Sequence, residues 1–229
     1  MEKIYKIIII LIITLSPFSS HAHTQHYDDL KRIEFNIFRN NKHIGTHVFS
    51  FTKIEEELKV KSIIKFQIKK LGIVLYKYHA VGTEVYKNDE LVVFNSTTNQ
   101  NGKPKYVNIK KENDEFIIDG SSYKGKAPLD FLIGTWWNHG IVKANAQISA
   151  VSGRIIKQKV DFLGKKEVNF GSKNYKALHF NFSSIDANLK KNKKLNTDVW
   201  YDEETLYWIK ASFDKQGKWE YRLNKVEKY

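Results

Sequence analysis

Between Leu58 and Lys69 the chain reads Leu-Lys-Val-Lys-Ser-Ile-Ile-Lys-Phe-Gln-Ile-Lys, which places Leu58, Val60, Ile64, Phe66 and Ile68 on one side of an extended ribbon and mostly lysine and glutamine on the other. A period of two marks a strand with one dry face and one wet face. The same alternation runs through Ile33-Glu34-Phe35-Asn36-Ile37, Phe49-Ser50-Phe51, Lys176-Ala177-Leu178-His179-Phe180-Asn181-Phe182 and Trp219-Glu220-Tyr221-Arg222-Leu223. Turn formers separate the runs: Asn40-Asn41, Glu55 to Glu57, Asn88-Asp89, Asn101-Gly102, Asp119-Gly120, Gly171-Ser172, Asp202 to Glu204 and Gln216-Gly217. Asn, Asp and Gly tolerate the left-handed backbone that tight turns require. Short polar turns between short strands make sequence neighbours pair antiparallel.

About ten or eleven such runs fit between residues 31 and 227, more than a flat open sheet carries well. The expected fold is therefore all-β: a strongly curled antiparallel meander forming a half-open or closed β-barrel. Neither a repeat of fixed length nor a Gly/Ser/Pro linker interrupts it, which predicts a single domain over residues 23–229. One stretch departs from the alternation, Gly125 to Gly140. Pro128 is placed to open a short helix there and Gly134 to interrupt it, while Leu129, Phe131, Leu132, Ile133, Trp136 and Trp137 make the segment apolar. It reads as a lid or plug packed on the sheet.

The N-terminus predicts an address. Lys3 and Lys6 precede an apolar run from Ile7 to Leu15, and Ser20 and Ala22 supply the small residues of a cleavage site, so residues 1–22 read as a secretory signal peptide. The run is shorter than the ~20 residues that span a bilayer. An exported, periplasmic protein follows as the expectation. Its 38 lysines and arginines against 25 acids give +13, which falls only to +12 when residues 1–22 are removed, so the mature chain favours anionic partners. Cys is absent, which excludes disulfides, thiolate metal sites and cysteine nucleophiles. Lys190-Lys191-Asn192-Lys193-Lys194 is the densest basic run, a solvated loop or a contact for an anionic membrane surface. Nucleic acid is not an expected partner, because export removes the chain from it and no aromatic platform accompanies the lysines.

Catalytic signals are weak. His43, His47, His79, His139 and His179 are scattered without metal-ligand spacing, His23 and His26 near the signal junction read as a polar terminus, and no nucleophile elbow or phosphate loop is present, so no cofactor or metal is expected. Asp130 lies between Leu129 and Phe131, where burial would raise its pKa, and with His139 it forms the alternative reading of a hydrolase-type site. A small outer-membrane barrel is a further alternative, suggested by the strand count and the terminal Tyr229 but opposed by Lys59, Lys61, Lys65 and Lys69 along one face. The most specific feature is aromatic. Tyr76, Tyr78, His79, Trp136, Trp137, Asn138 and Trp200 are the candidate ligand-binding residues, and in a curled sheet such rings either line a cavity or fill it. The sequence does not indicate an oligomeric state.

Several motifs together resemble a known group of proteins: Ile44-Gly45-x-His47-x-Phe49, Leu71-Gly72-x-x-x-Tyr76-x-Tyr78-His79 with Glu84, Asn101-Gly102, Thr135-x-Trp137-Asn138, Trp200-Tyr201-Asp202 and Gly217-x-x-x-Tyr221-x-Leu223. Over nearly the whole mature chain the sequence resembles an uncharacterised exported proteobacterial family of unknown function. More remotely it is similar to periplasmic half-open barrels that carry lipoproteins by holding their acyl chains under a lid. That resemblance implies a binding or carrier protein for an apolar or lipid-like ligand and carries over no catalytic residue.

Overall fold

The computed structural model describes residues 27–170, 173–190 and 193–229. The expected signal peptide, the Gly171-Ser172 turn and the middle of the Lys190–Lys194 run lie outside the described residues. Fifteen strands form one sheet: β1 (Leu30–Arg39), β2 (Lys42–Ile54), β3 (Glu57–Lys70), β4 (Ile73–Lys87), β5 (Glu90–Gln100), β6 (Lys103–Glu112), β7 (Glu115–Gly120), β8 (Lys124–Pro128), β9 (Leu132–Ile133), β10 (Ala146–Ile148), β11 (Ile155–Phe170), β12 (Lys173–Ser184), β13 (Asn196–Asp202), β14 (Trp208–Asp214) and β15 (Lys218–Lys228). The spatial order runs from β8 down to β1, then from β15 down to β9. Neighbours pair antiparallel as the short turns predict, except β9 with β10. The strand count exceeds the expected ten or eleven partly because β9 and β10, of two and three residues, are too short to show a period.

The all-β, strongly curled expectation holds. β8 and β9 are the two ends of the sheet, yet three residues separate them in sequence. At 3.8 Å per Cα step those residues bring the two edges within about 15 Å, so the sheet bends almost into a ring. The turn at Ser149–Gly153 helps to stitch the ends together: Ser122 N–H donates to the Ser152 carbonyl at 2.9 Å and Ser96 Oγ donates to the Ala150 carbonyl. Gly120 permits this, since a Cβ there would lie 2.7 Å from the Ser152 oxygen.

The turn chemistry follows the sequence closely. Asn40, Asn88, Asn101 and Asn113 open hairpin loops with φ between 48° and 54°, where a side-chain amide makes the left-handed backbone tolerable. The expected helix at Pro128 does not form. Pro128 instead ends β8, an edge strand, where a missing N–H breaks no ladder. The helical turn falls later, as a 3-10 helix over His139–Lys143, whose first turn is capped by the Asn138 side chain accepting from Gly140 N–H.

Inward-facing residues make a core dominated by rings, including Phe35, Phe49, Phe51, Phe94, Trp137, Tyr201 and Trp208. On β3 the buried face carries Leu58, Val60 and Ser62, and Ile64, Phe66 and Ile68 continue it half-buried, as the alternation predicts. β2 ends its pairing with β3 at Gly45 opposite Phe66. The backbones approach so closely there that a Cβ on Gly45 would lie 2.0 Å from the Lys65 carbonyl oxygen and 2.5 Å from the Phe66 Cα. Gly45→Ala is expected to destabilise the fold by about 1–3 kcal/mol, the usual range for forced overpacking. Gly82→Ala, whose new methyl meets nothing nearer than Phe94 at 3.4 Å, is expected to cost far less. Thermal unfolding of both variants checks this, and equal melting temperatures would contradict it.

Candidate functional site

The plug segment enters the interior and divides it. Thr135 and Trp137 stand two residues apart on that segment, and Glu84 and Tyr86 stand two apart on β4. The Glu84 carboxylate accepts from Thr135 Oγ1 at 2.9 Å, Trp137 Nε1 at 2.8 Å and Tyr86 OH at 2.6 Å. All four residues are buried. Burial pushes the Glu84 carboxyl above the usual carboxylate range, and the three donors oppose that shift without cancelling it. Trp137 packs edge-on to Tyr27, Phe51 and Tyr86 with centroids 5.1–5.7 Å apart. Its neighbour Trp136 takes a left-handed φ of 61°, gives its carbonyl to Tyr201 OH at 3.0 Å and meets the rings of Trp208 and Tyr221. The space beneath Trp136 and Trp137 is therefore packed with rings.

His47 lies deeper in the same column of rings. Its Nε2 is 2.8 Å from Ser62 Oγ, and Phe49 lies 4.2 Å away by ring centroids. Burial lowers its pKa to about 3, so the ring is neutral at any ordinary pH. Rings continue through Trp208, Tyr221, Phe213 and Trp219 to Phe66, which stacks on Tyr78 at 4.7 Å and 7°. There the filling stops.

A basin of about 1000 Å³ opens at that end. Its lining comes from the first hairpin (Arg39, Asn40, Lys42, His43, Ile44, Gly45), from β3 (Lys65 to Lys69), from β4 (Lys77, Tyr78, His79) and from Asn99, Asn101 and Gly102. Five cationic residues contribute and no carboxylate does. Among the described residues none of the five is in an ion pair, and the Nε of Arg39 is buried without a partner. Burial pushes the Tyr78 hydroxyl up to about 12, keeping it a neutral donor.

A second cleft of about 960 Å³ lies around Trp200. Trp200 alternates with the core residues Val199 and Tyr201 and so points to the other side of the sheet. It stacks on His179 at 4.2 Å and 10°, with Lys210 Nζ 4.7 Å above its ring. Charges here are partly compensated: Lys166, Lys173, Lys210 and Arg222 share the cleft with Glu167 and Glu220, and Glu220 pairs with both Lys210 and Arg222. Burial lowers the His179 pKa and the adjacent Asp198 pulls it back.

The seven candidate residues thus occupy three places. Tyr78 and His79 line the basin and Tyr76 stacks near it on Phe66 at 6.0 Å. Trp136, Trp137 and Asn138 belong to the packed interior, and Trp200 faces the second cleft. Asp130 is solvent-exposed and accepts a 3.4 Å hydrogen bond from Asn145, so the burial that would make it a proton donor is absent. His139 packs edge-on to Phe180 and Tyr201. Among the described residues no three His, Asp or Glu side chains gather into a metal-binding group. Three of the basin cations, Lys65, Lys69 and Lys77, have a signal in the sequence, since Leu58 to Thr83 contains six lysines and no acid, whereas Arg39 and Lys42 have none.

A nearly closed antiparallel sheet, filled at one end and open at the other over a basic basin, defines a barrel-like β-protein. The chain belongs to the family of a domain of unknown function, DUF6134, whose model matches residues 35–224. It is similar to a solved β-barrel-like protein of another domain of unknown function, DUF1849, from Brucella abortus, with 9% identity, a TM-score of 0.61 and coverage of 87% of this chain and 99% of that one. At that identity the likeness is one of fold. The comparison with curated proteins finds no match.

Glu84 and His47, both buried, have opposite pH signatures. Glu84, with a raised folded pKa, contributes stability that is present below pH 4.5 and lost as pH rises through its folded value. His47, with a folded pKa near 3 against 6.5, contributes stability that is present above pH 6.5 and lost as pH falls toward 3. Chemical denaturation across pH is expected to show His47→Gln flattening the acid-side loss, by up to ~1.4 kcal/mol per pH unit, and Glu84→Gln flattening the rise-side loss. Curves parallel to wild type would contradict both assignments. Glu84→Ala, which strands three buried donors at ~1–3 kcal/mol each, is expected to destabilise by several kcal/mol, more than Glu84→Gln. Urea melts at one pH separate the two.

Proposed function

We propose that this is an exported ligand-holding β-protein whose basin takes an amphipathic anion, with no catalytic step. The observation that carries the reading is the pairing of an aromatic floor with an uncompensated basic rim. Phe66 and Tyr78 offer a flat apolar surface, while Arg39, Lys42, Lys65, Lys69 and Lys77 stand around it without a carboxylate. A hydrocarbon body gains ~0.8 kcal/mol for each methylene it buries, and an acidic head meets cations that, among the described residues, no carboxylate has paired. Asn40, Asn99 and Asn101 at the rim add further polar contacts. The N-terminal stretch that reads as a signal peptide supports export to the periplasm.

This reading moves the ligand away from Trp136 and Trp137. The plug segment is spent on closing the interior, so the ligand lies at the opposite end, over Tyr78. Trp200 and its cleft, where Glu220 already engages Lys210 and Arg222, play no part in it.

The amphipathic anion 8-anilinonaphthalene-1-sulfonate is a direct probe. Its fluorescence is expected to rise on binding, with affinity falling tenfold or more in Arg39→Glu/Lys77→Glu and in Tyr78→Ser. A long-chain carboxylate is expected to displace it at least tenfold better than the alcohol of equal length. Equal competition by acid and alcohol, or variants that bind like wild type, would remove the reading.

A further inference from the structure

The pairing registers leave the end of the β3–β4 hairpin without a neighbouring strand. β2 pairs with β3 only as far as Phe66, and β5 pairs with β4 only as far as Tyr78. Beyond those points Asn101 still holds Lys77, accepting from its N–H and donating to its carbonyl, and past Lys77 the β3–β4 hairpin pairs with itself alone, Ile68 with Tyr76, Lys69 with Val74 and Lys70 with Ile73. About four residues of each strand project, roughly 13 Å at the rise of a β-strand.

The tip of this finger is apolar and bare. Leu71 is 93% exposed, Ile73 67%, Leu75 55% and Val74 37%. Four of the nine large hydrophobic residues exposed among the described residues therefore sit within five consecutive positions. Scattered exposed leucines need no explanation, whereas a concentrated patch does. The backbone adds a second sign. Leu71 takes the first left-handed position at φ 48°, where four other hairpin loops have Asn and two have Glu55 and Gln216, so among these loops this one alone presents an apolar side chain there. Leu75 is the extra residue of a bulge between the Ile68–Tyr76 and Lys69–Val74 pairs, thrown outside the ladder.

Charge identifies what the tip meets. Lys69 and Lys70 stand immediately before it and Lys77 and Lys65 behind it, there is no acid anywhere between Leu58 and Thr83, and among the described residues none of these lysines is in an ion pair. Apolar residues at the end of a projection with unpaired cations behind them match the two layers of an anionic bilayer, hydrocarbon beneath phosphate. We infer that the β3–β4 finger docks this protein on an anionic phospholipid surface, inserting Leu71, Ile73 and Leu75 into the interface with the lysines against the headgroups. The inference stands apart from the ligand reading, because Leu71, Ile73 and Leu75 do not line the basin. It brings Lys69 and Lys77, which line both, to the membrane side.

The chain has no cysteine, so Leu71→Cys carries a single environment-sensitive nitrobenzoxadiazole label. The mature protein is expected to co-sediment with vesicles containing phosphatidylglycerol at 0.1 M salt at least tenfold better than with pure phosphatidylcholine, and less at 0.5 M salt. The label is expected to brighten and shift to the blue on binding. Leu71→Ser/Ile73→Ser/Leu75→Ser is expected to lose at least tenfold in vesicle affinity with an unchanged melting temperature and unchanged anilinonaphthalene sulfonate binding. Binding to neither vesicle, binding that the triple variant retains, or self-association in light scattering that the same variant abolishes without any vesicle binding would each overturn the inference. Loss of dye binding in Tyr78→Ser, a residue outside the docking surface, with vesicle binding intact separates the two proposals.

Discussion

Glu84 is a carboxylate enclosed by rings, with three donors converging on it, and the arrangement of the interior follows from that pairing. A carboxyl group in such a place is tolerable only when its oxygens are met by donors. Here the donors come from two segments far apart in sequence, the β4 wall and the plug. Satisfying the acid therefore fixes where Thr135 and Trp137 must lie, and Trp137 in turn sets the packing of Tyr27, Phe51 and Tyr86 around it. A hydrophobic residue at position 84 would pack as well in volume but would not specify which part of an apolar segment belongs there. Direction, more than strength, is what the hydrogen bonds supply.

The consequence is a barrel with two unlike ends. Where the plug crosses, the interior is closed by edge-to-face rings from Tyr27 to Trp208. Beyond Tyr221 and Trp219 the basin opens over Phe66 and Tyr78. A wall must be either filled or faced with something that water tolerates, and this chain does the latter with lysine and asparagine. The cleft at Trp200 differs in that Glu220 answers two of its cations, Lys210 and Arg222, within the same surface, which weakens the field there.

Much of the fold was legible from single residues. The alternation through Leu58–Ile68 gave the correct buried face of β3, and each Asn-led turn gave a hairpin because left-handed backbone is a local property that few side chains accept. Pairs two apart, Glu84 with Tyr86 and Thr135 with Trp137, could be assigned to shared faces in the same way. That the two pairs meet could not, since contact across fifty residues has no local signature. Trp200 was grouped with Trp136 on residue type, and only the register of β13 places it on the other side of the sheet. The helix expected at Pro128 failed because proline is equally at home on an edge strand, and which strand is an edge is decided by the whole topology. The bare tip at Leu71 looked like an ordinary motif until the ends of its neighbours' ladders showed that nothing covers it.

The pairing of β1 with β15 carries a further implication for how such a chain reaches its final form. The first strand waits for the last, so the ring keeps an unzipped seam along Ile33 to Phe38 until the C-terminal residues are available. Loops formed early are short and cheap, but the closing one spans almost the whole chain. Trimming the C-terminus would therefore withdraw a stave from the middle of the wall, where a single nick costs the vessel its hoop.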